Sequence, residues 1–164
     1  MFETAAIETA DKAQFYRELA EQAASLFHDE PDVIANAANL SALLFEQMPD
    51  LNWAGFYFLR SPDELVVGPF QGKPACVRIK VGRGVCGTAV QRKQSILVED
   101  VDAFPGHIAC DSASRSELVV PLLDGDTVIG VIDLDSPSLA RFDAADQAGI
   151  EAVAKLYVEA CERA

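Results

Sequence analysis

The sequence predicts an α+β fold in which helices pack against a central, mainly antiparallel β-sheet. Apolar residues recur at three- and four-residue spacing through the first 50 residues and again after residue 143. Between these helical stretches lie short segments rich in aromatic and β-branched residues, separated by turn sequences such as Ser61-Pro62-Asp63 and Asp124-Gly125. Neither an internal repeat nor a linker sequence divides the chain, so one domain spanning residues 1–164 is expected.

Helices are predicted at both ends of the chain. A pair within residues 1–50 comprises one helix over 11–28 and a second over 31–48, where Pro31 suits the first helical turn. The final helix is predicted over 144–162, within a C-terminal segment 143–164, and Asp143 resembles its N-cap.

The sheet is predicted within residues 51–140. Six segments carry strand-like patterns, and a short helix at 85–92 follows two glycines. The predicted strands are 53–59, 64–70, 75–80, 95–98, 118–123 and 127–134.

Charge and hydropathy exclude several classes of partner. The 164 residues include 26 acidic and 13 basic side chains, giving a net charge of −13. Such a chain lacks the basic stripe that nucleic acids and anionic membrane surfaces require. It also lacks an apolar run of about 20 residues and the basic, apolar start of a signal peptide. We therefore expect a cytoplasmic protein whose four cysteines are reduced at rest.

One cysteine lies in residues 104–117, the longest stretch without helical or strand periodicity. Pro105 and Gly106 mark this stretch as a loop, whereas a cysteine without a bond or a task is usually buried. Long loops in compact domains are often functional, so Cys110 is suspected of a chemical role. His107 precedes it by three residues and could assist a thiolate, although a histidine in a loop is more often simply exposed.

The remaining cysteines do not form a recognisable metal-binding pattern. Cys76, Cys86 and Cys110 are separated by nine and then 23 residues, unlike the closely spaced pairs of structural zinc sites. Cys86 lies near the start of the predicted short helix, where the helix dipole lowers a thiol pKa. Cys76 is compatible with a core position on its strand, and Cys161 is interpreted as a buried hydrophobe on the last helix.

Glycines at 82, 84 and 87 match the spacing of a dinucleotide-binding loop, but their context does not. The preceding segment, residues 77–80, alternates between apolar and polar side chains, whereas a central parallel strand is almost continuously apolar. We therefore interpret these glycines as a tight strand-to-helix turn that allows backbone segments to pack closely.

Two carboxylates continue an apolar stripe on the last predicted strand. Alternation places Asp133 and Asp135 on the same face as Ile129 and Val131. Buried carboxylates need partners, so these acids either mark a site or lie where the strand ends in solvent.

The turn between the last two strands decides whether Glu117 joins these acids. A two-residue turn at Asp124-Gly125 places Glu117 opposite Ile132, on the other face of the sheet. A three-residue loop with Gly125 left-handed and a bulge places Glu117 opposite Val131, on the face of the acids. An acidic cluster therefore requires the bulged alternative.

Five sequence blocks resemble the free methionine-(R)-sulfoxide reductases, small enzymes built on a GAF domain. The blocks are NWAGFY (52–57), GVCGTA (84–89), HIACD (107–111), SRSE (114–117) and GVIDLDS (130–136). The resemblance covers nearly the whole chain and implies a GAF-like fold that reduces the free amino acid, with no metal or cofactor. It also implies a thioredoxin-type reductant and a possible homodimer.

The same resemblance implies roles for individual residues. Cys110 matches the nucleophile, and Cys76 and Cys86 match the two other cysteines, of which Cys76 is the first choice for the resolving thiol. The acids match substrate-holding groups, one of which can donate a proton, and two aromatic residues match the pocket walls: Glu117, Asp133, Asp135, Trp53 and Tyr57.

Two other functions remain open from the sequence. GAF folds serve many roles, so a sensor that binds a small molecule without turnover is one alternative. A cysteine redox sensor is the other. A stand-alone chain of 164 residues without an output domain would argue against the sensor, so we expect the enzyme.

Overall fold

The structure, a computed structural model, describes residues 2–161 and contains four helices, six strands and one 3₁₀ turn in this part of the chain. The helices are α1 (Lys12–Phe27), α2 (Val33–Gln47), α3 (Gly84–Arg92) and α4 (Ala144–Ala160). The strands are β1 (Trp53–Ser61), β2 (Glu64–Gly72), β3 (Arg78–Lys80), β4 (Ile96–Val98), β5 (Ser116–Asp124) and β6 (Thr127–Ser136). The 3₁₀ turn at Val101–Ala103 was not predicted, and the expected extension of the last helix to residue 162 lies outside the described residues.

The strands form one sheet in the order β3-β2-β1-β6-β5-β4, and all neighbours are antiparallel. This confirms the predicted α+β class with an antiparallel central sheet. The chain passes from one edge of the sheet to the other through α3, because β3 and β4 are the two edge strands. The α3 helix therefore lies across one face of the sheet.

Helices α2 and α4 pack on the opposite face, α1 packs on these two helices, and all three form the larger core with the sheet. Asp143 caps α4 as predicted, and Asp146 completes a capping box by accepting the N–H of Asp143. Asp146 also binds Lys12 and the Tyr16 hydroxyl, which ties α4 to α1. Buried sheet residues on this side include Phe56, Phe58, Leu118, Val120, Ile132 and Leu134.

The face beneath α3 holds a smaller core and the groups of interest. Val85, Ala89 and Val90 of α3 pack toward buried sheet residues that include Trp53, Tyr57, Leu65, Ile79, Val119 and Val131. Cys86 belongs to this core, whereas Cys161 belongs to the larger one, as predicted for a buried hydrophobe. No helix among residues 2–161 is long and apolar enough to span a membrane.

The third strand is shorter than predicted, and the prediction that Cys76 lies on it is wrong. β3 begins at Arg78, so Cys76 lies in the loop that precedes it. Pro69 on the neighbouring β2 has no backbone N–H to donate, which limits how far the ladder extends in this direction.

The hairpin between β5 and β6 has a bulge, but at a position different from the predicted one. Asp124 pairs with Thr127 around a two-residue turn, Gly125-Asp126, with Gly125 at φ +60°. The register shifts between Leu122 and Leu123, which leaves Ile129 as the extra residue on β6.

This bulge brings Glu117 to the acidic face. Beyond it, Glu117 lies directly opposite Asp135 instead of either predicted partner, Val131 or Ile132. Without the extra residue at Ile129, the register of the turn would place Glu117 opposite Leu134, on the other face. The predicted need for a bulge is therefore correct, and its predicted location at Gly125 is wrong.

Candidate active site

A pocket lies on the α3 side of the sheet and collects most of the predicted site residues. Its floor comes from β1, β5 and β6, and its sides come from the first turn of α3 and the loop after the 3₁₀ turn. The predicted residues that line it are Trp53, Tyr57, Cys86, Cys110, Glu117, Asp133 and Asp135.

A disulfide joins Cys76 to Cys110, and it closes a loop over a sequence separation of 34. The bond connects the loop before β3 to the loop before β5, at the wall of the pocket. Cys76 is thus the thiol placed to react with Cys110, whereas Cys86 and Cys161 are not in disulfides.

The loop that carries Cys110 is attached to the start of β1 by hydrogen bonds. The side-chain amide of Asn52 donates to Asp111 Oδ2 at 3.1 Å and to Ser114 Oγ at 3.0 Å. Asp111 follows Cys110 directly, so this attachment fixes the loop immediately beside the disulfide. The sequence gives no signal that Asn52 or Ser114 is functional, because neither side chain carries reactive chemistry.

Three carboxylates meet on the pocket floor. Glu117 and Asp133 are only 6% and 5% exposed, and Asp135, opposite Glu117, is half-buried. Burial raises the pKa of all three, and charge repulsion adds to it: Asp135 acts on Glu117, Glu117 on Asp133, and Asp133 on Asp135. Such a cluster can hold a cation or retain a proton for donation.

The thiol of Cys86 lies against these acids, and the expectation of a lowered pKa is wrong. Cys86 is buried, and loss of water around the thiol raises its pKa well above the ordinary value. The charges of Asp133 and Glu117 add to this increase, and together these effects outweigh the helix dipole. In this state Cys86 is a protonated thiol, not a nucleophile.

His107 lies in the pocket wall and is not exposed as a loop histidine usually is. Its side chain is 14% exposed, and its Nε2 lies 3.6 Å from Glu117 Oε1. Burial lowers the pKa of His107, so the ring is neutral near pH 7. The contact places His107 beside the acid Glu117.

Two aromatic residues of β1 form one wall and support the neighbouring loop. The rings of Trp53 and Tyr57 are stacked with centroids 5.8 Å apart. Trp53 Nε1 donates to the carbonyl of Lys73 at 3.1 Å, and the Tyr57 hydroxyl donates to the carbonyl of Cys76 at 3.1 Å. The aromatic wall therefore positions the segment that carries Cys76.

The glycines at 82, 84 and 87 form the close strand-to-helix turn that the sequence predicts. Gly82 and Gly84 have φ of +87° and +60°, and a Cβ at Gly87 would lie 2.3 Å from the carbonyl oxygen of Lys80. Arg83, the N-cap residue of α3, supplies no side-chain hydrogen bond to the first turn. Because Gly84 and Val85 line the pocket, this turn presents the positive end of the helix dipole to it.

Two basic side chains also line the pocket without having been predicted there. Lys73 and Arg83 come from the loop before β3 and the N-cap of α3. Within residues 2–161, no Lys or Arg nitrogen lies within 4.0 Å of Glu117, Asp133 or Asp135. Among the described residues the acids therefore have no Lys or Arg partner, whereas basic groups and a helix N-terminus lie elsewhere in the same pocket.

Known proteins have the same fold as this chain and similar sequences. The family model described as a GAF domain matches residues 35–162. The free methionine-R-sulfoxide reductase of Escherichia coli (strain K12) is 54% identical over 140 residues, covering 85% of this chain and 84% of that protein. Protein YtsP of Bacillus subtilis (strain 168) is 53% identical over 141 residues, covering 85% of this chain and 86% of that protein.

A solved structure has the same architecture as this chain. The X-ray structure of free methionine-R-sulfoxide reductase from Neisseria meningitidis in complex with its substrate matches with a TM-score of 0.92 and 46% identity. The match covers 97% of this chain and 95% of that one. The chain therefore belongs to the GAF-domain family of free methionine-R-sulfoxide reductases.

Proposed function

We propose that this protein reduces free L-methionine-(R)-sulfoxide to methionine and stores the two oxidising equivalents in the Cys76–Cys110 disulfide. The observation that carries the proposal is the position of this disulfide, at the wall of a pocket whose floor holds three clustered acidic side chains. Family membership supports the same substrate, because relatives that cover most of the chain are named for it.

The pocket suits a free amino acid because it offers opposite charges at two places. Glu117, Asp133 and Asp135 can bind the substrate's ammonium, which a residue inside a peptide does not have. The first turn of α3, together with Arg83 and Lys73, can bind the carboxylate. Trp53 and Tyr57 then form the wall along the apolar part of the substrate.

The first chemical step is reduction of the sulfoxide at Cys110. The thiolate attacks the substrate sulfur and forms an S–S bond, while the sulfoxide oxygen takes a proton from a carboxylic acid. The resulting hydroxyl then moves from the substrate sulfur to the Cys110 sulfur as the S–S bond breaks. Methionine leaves, and the oxygen remains on Cys110 as a sulfenic acid. Glu117 is assigned as the proton donor, because burial and Asp135 raise its pKa and favour its protonated form.

The second step forms the disulfide and the third removes it. The Cys76 thiol attacks the sulfenic sulfur of Cys110 and water leaves, so two thiols supply the two electrons that the sulfoxide gains. An external dithiol of the thioredoxin type then reduces the disulfide by exchange. No metal or organic cofactor enters this cycle, and Cys86 is assigned a supporting role at the pocket floor.

We also propose that the protein acts in the cytoplasm and forms a homodimer. Resetting the disulfide needs a reducing compartment, which supports the cytoplasm. A homodimer is supported by the family resemblance, and light scattering of the purified protein tests it.

A coupled assay tests the activity. Purified protein, thioredoxin, thioredoxin reductase and NADPH receive racemic free methionine sulfoxide, and NADPH oxidation should stop when half of the racemate, the (R) form, is consumed. Cys110→Ser should abolish the reaction, and Cys161→Ser is the matched control because its thiol lies in the other core. N-acetylated substrate, which has no ammonium, should react far more slowly.

The same assay separates the enzyme from the two sensor functions. A small-molecule sensor would bind the amino acid without oxidising NADPH, and a redox sensor would react with peroxide but not with the sulfoxide. Turnover that persists in Cys110→Ser would refute the assignment of the nucleophile.

A further inference from the structure

Three donor groups from three different elements meet at the floor of the pocket. The Cys86 thiol comes from α3, and the carboxylates of Glu117 and Asp133 come from β5 and β6. One ligand atom from each lies within 4.8 Å of the other two, and all three residues are buried. We propose that these groups form a binding site for a thiophilic divalent cation, of which Zn²⁺ is the representative.

A second observation, an unpartnered buried oxygen, points to a ligand at this cluster. Asp133 is 5% exposed, and its Oδ1 is buried without a hydrogen-bond partner among the described residues. A buried carboxylate oxygen without a hydrogen-bond partner destabilises the folded protein, and natural proteins rarely contain one. Because the same side chain belongs to the cluster, a cation bound there would supply the missing partner.

The donor set selects the class of cation. One sulfur and two carboxylate oxygens suit Zn²⁺, whereas Mg²⁺ and Ca²⁺ require oxygen ligands alone. Zinc bonds of about 2.0–2.3 Å at tetrahedral angles place neighbouring ligand atoms about 3.5 Å apart. The present separations are all within 4.8 Å, so the ligand atoms would have to approach one another by about 1 Å. All three residues line the pocket, from which a water could supply the fourth ligand.

Binding requires no redox step and does not depend on the catalytic disulfide. The cation replaces the thiol proton of Cys86, which is released to solvent as the sulfur–metal bond forms. Cys76 and Cys110 are tied to each other in this state, so the site is complete in the oxidised protein.

The cation would also inhibit the reductase, and this part rests on the proposed function. Glu117 and Asp133 are the groups assigned to the substrate's ammonium, so substrate and cation would occupy the same carboxylates. Free methionine should therefore weaken Zn²⁺ binding, and Zn²⁺ should raise the KM for the sulfoxide more than it lowers kcat.

The test uses the oxidised, full-length protein, with Zn²⁺ measured by calorimetry and Cd²⁺ by its thiolate charge-transfer absorption. The absorption band distinguishes the thiol site from surface carboxylates, which give no such band. We expect one equivalent of either metal per chain, with the band retained in Cys161→Ser and absent in Cys86→Ser. Asp133→Asn should keep the band while Kd rises more than about tenfold, a loss typical of a residue that supports metal binding.

The outcomes are distinguishable. No band in the wild type, or a band that survives in Cys86→Ser, overturns the metal site. If Cys86→Ser fails to fold, as judged by circular dichroism, an unchanged Kd in Asp133→Asn overturns it instead. Metal binding without competition by methionine supports the site and refutes the shared carboxylates, whereas sulfoxide turnover without metal binding supports the proposed function and overturns the site.

Discussion

The Cys76–Cys110 disulfide should control the stability of the whole domain. It closes a loop over a sequence separation of 34, and the loop-entropy relation gives about 3.8 kcal/mol of stabilisation at 25 °C. A domain of 150–250 residues changes its melting temperature by about 2–4 °C per kcal/mol. Reduction of this one bond should therefore lower the Tm by roughly 8–15 °C.

Scanning calorimetry of the wild type with and without a phosphine reductant measures the difference. In Cys76→Ser the Tm should already be low, and the reductant should change it no further. Cys161→Ser is the control and should keep the full reductant-dependent change, because its thiol contacts Asn36 in the other core. Equal Tm values for the oxidised and reduced wild type would refute the reasoning.

Three further predictions concern the acids and the turn before α3. Glu117→Gln should lower kcat by about 10²–10⁴-fold, as expected for loss of a general acid, without lowering the Tm; an unchanged kcat would remove Glu117 from the chemistry. Asp133→Asn should raise the Tm more at pH 8 than at pH 4. The pKa of Asp133 is raised in the folded protein, so this residue becomes destabilising as the pH rises above 3.8, the ordinary pKa of an aspartate. A gain in Tm that is independent of pH would contradict this. Each pKa unit corresponds to about 1.4 kcal/mol. Gly87→Ala should destabilise the protein by about 1–3 kcal/mol in urea unfolding, because its Cβ would lie 2.3 Å from the Lys80 carbonyl oxygen. A variant as stable as the wild type would show that α3 can shift freely.

Periodicity and turn chemistry predict most of the fold correctly. The helices and strands follow apolar spacing that each segment carries by itself, and the glycines around Gly84 predict a tight turn for the same local reason. The predicted position of Cys76 on a strand is wrong because β3 is limited by its neighbour β2, where Pro69 has no backbone N–H to donate. A single segment does not reveal what its neighbour can pair with.

The acidic cluster also depends on strand pairing that the sequence of a single segment does not reveal. Alternation correctly placed Asp133 and Asp135 on one face, but the position of Glu117 depends on one extra residue in the ladder. Ile129 carries no sequence signal for a bulge, whereas Gly125 does, so the bulge was predicted at the wrong place. The Cys86 thiol meets the acids only through tertiary packing of α3, and ligand spacing along the sequence therefore did not predict a metal site.

The most direct measurement is a single turnover of the fully reduced protein without an external reductant. The chain has four cysteines, and thiol titration should fall from four to two per chain as one equivalent of free methionine-(R)-sulfoxide is converted to methionine. Peptide mapping should then find the Cys76–Cys110 disulfide. Four thiols remaining after methionine is formed, or a disulfide that excludes Cys110, would contradict the assignment of this pair as the site of reduction.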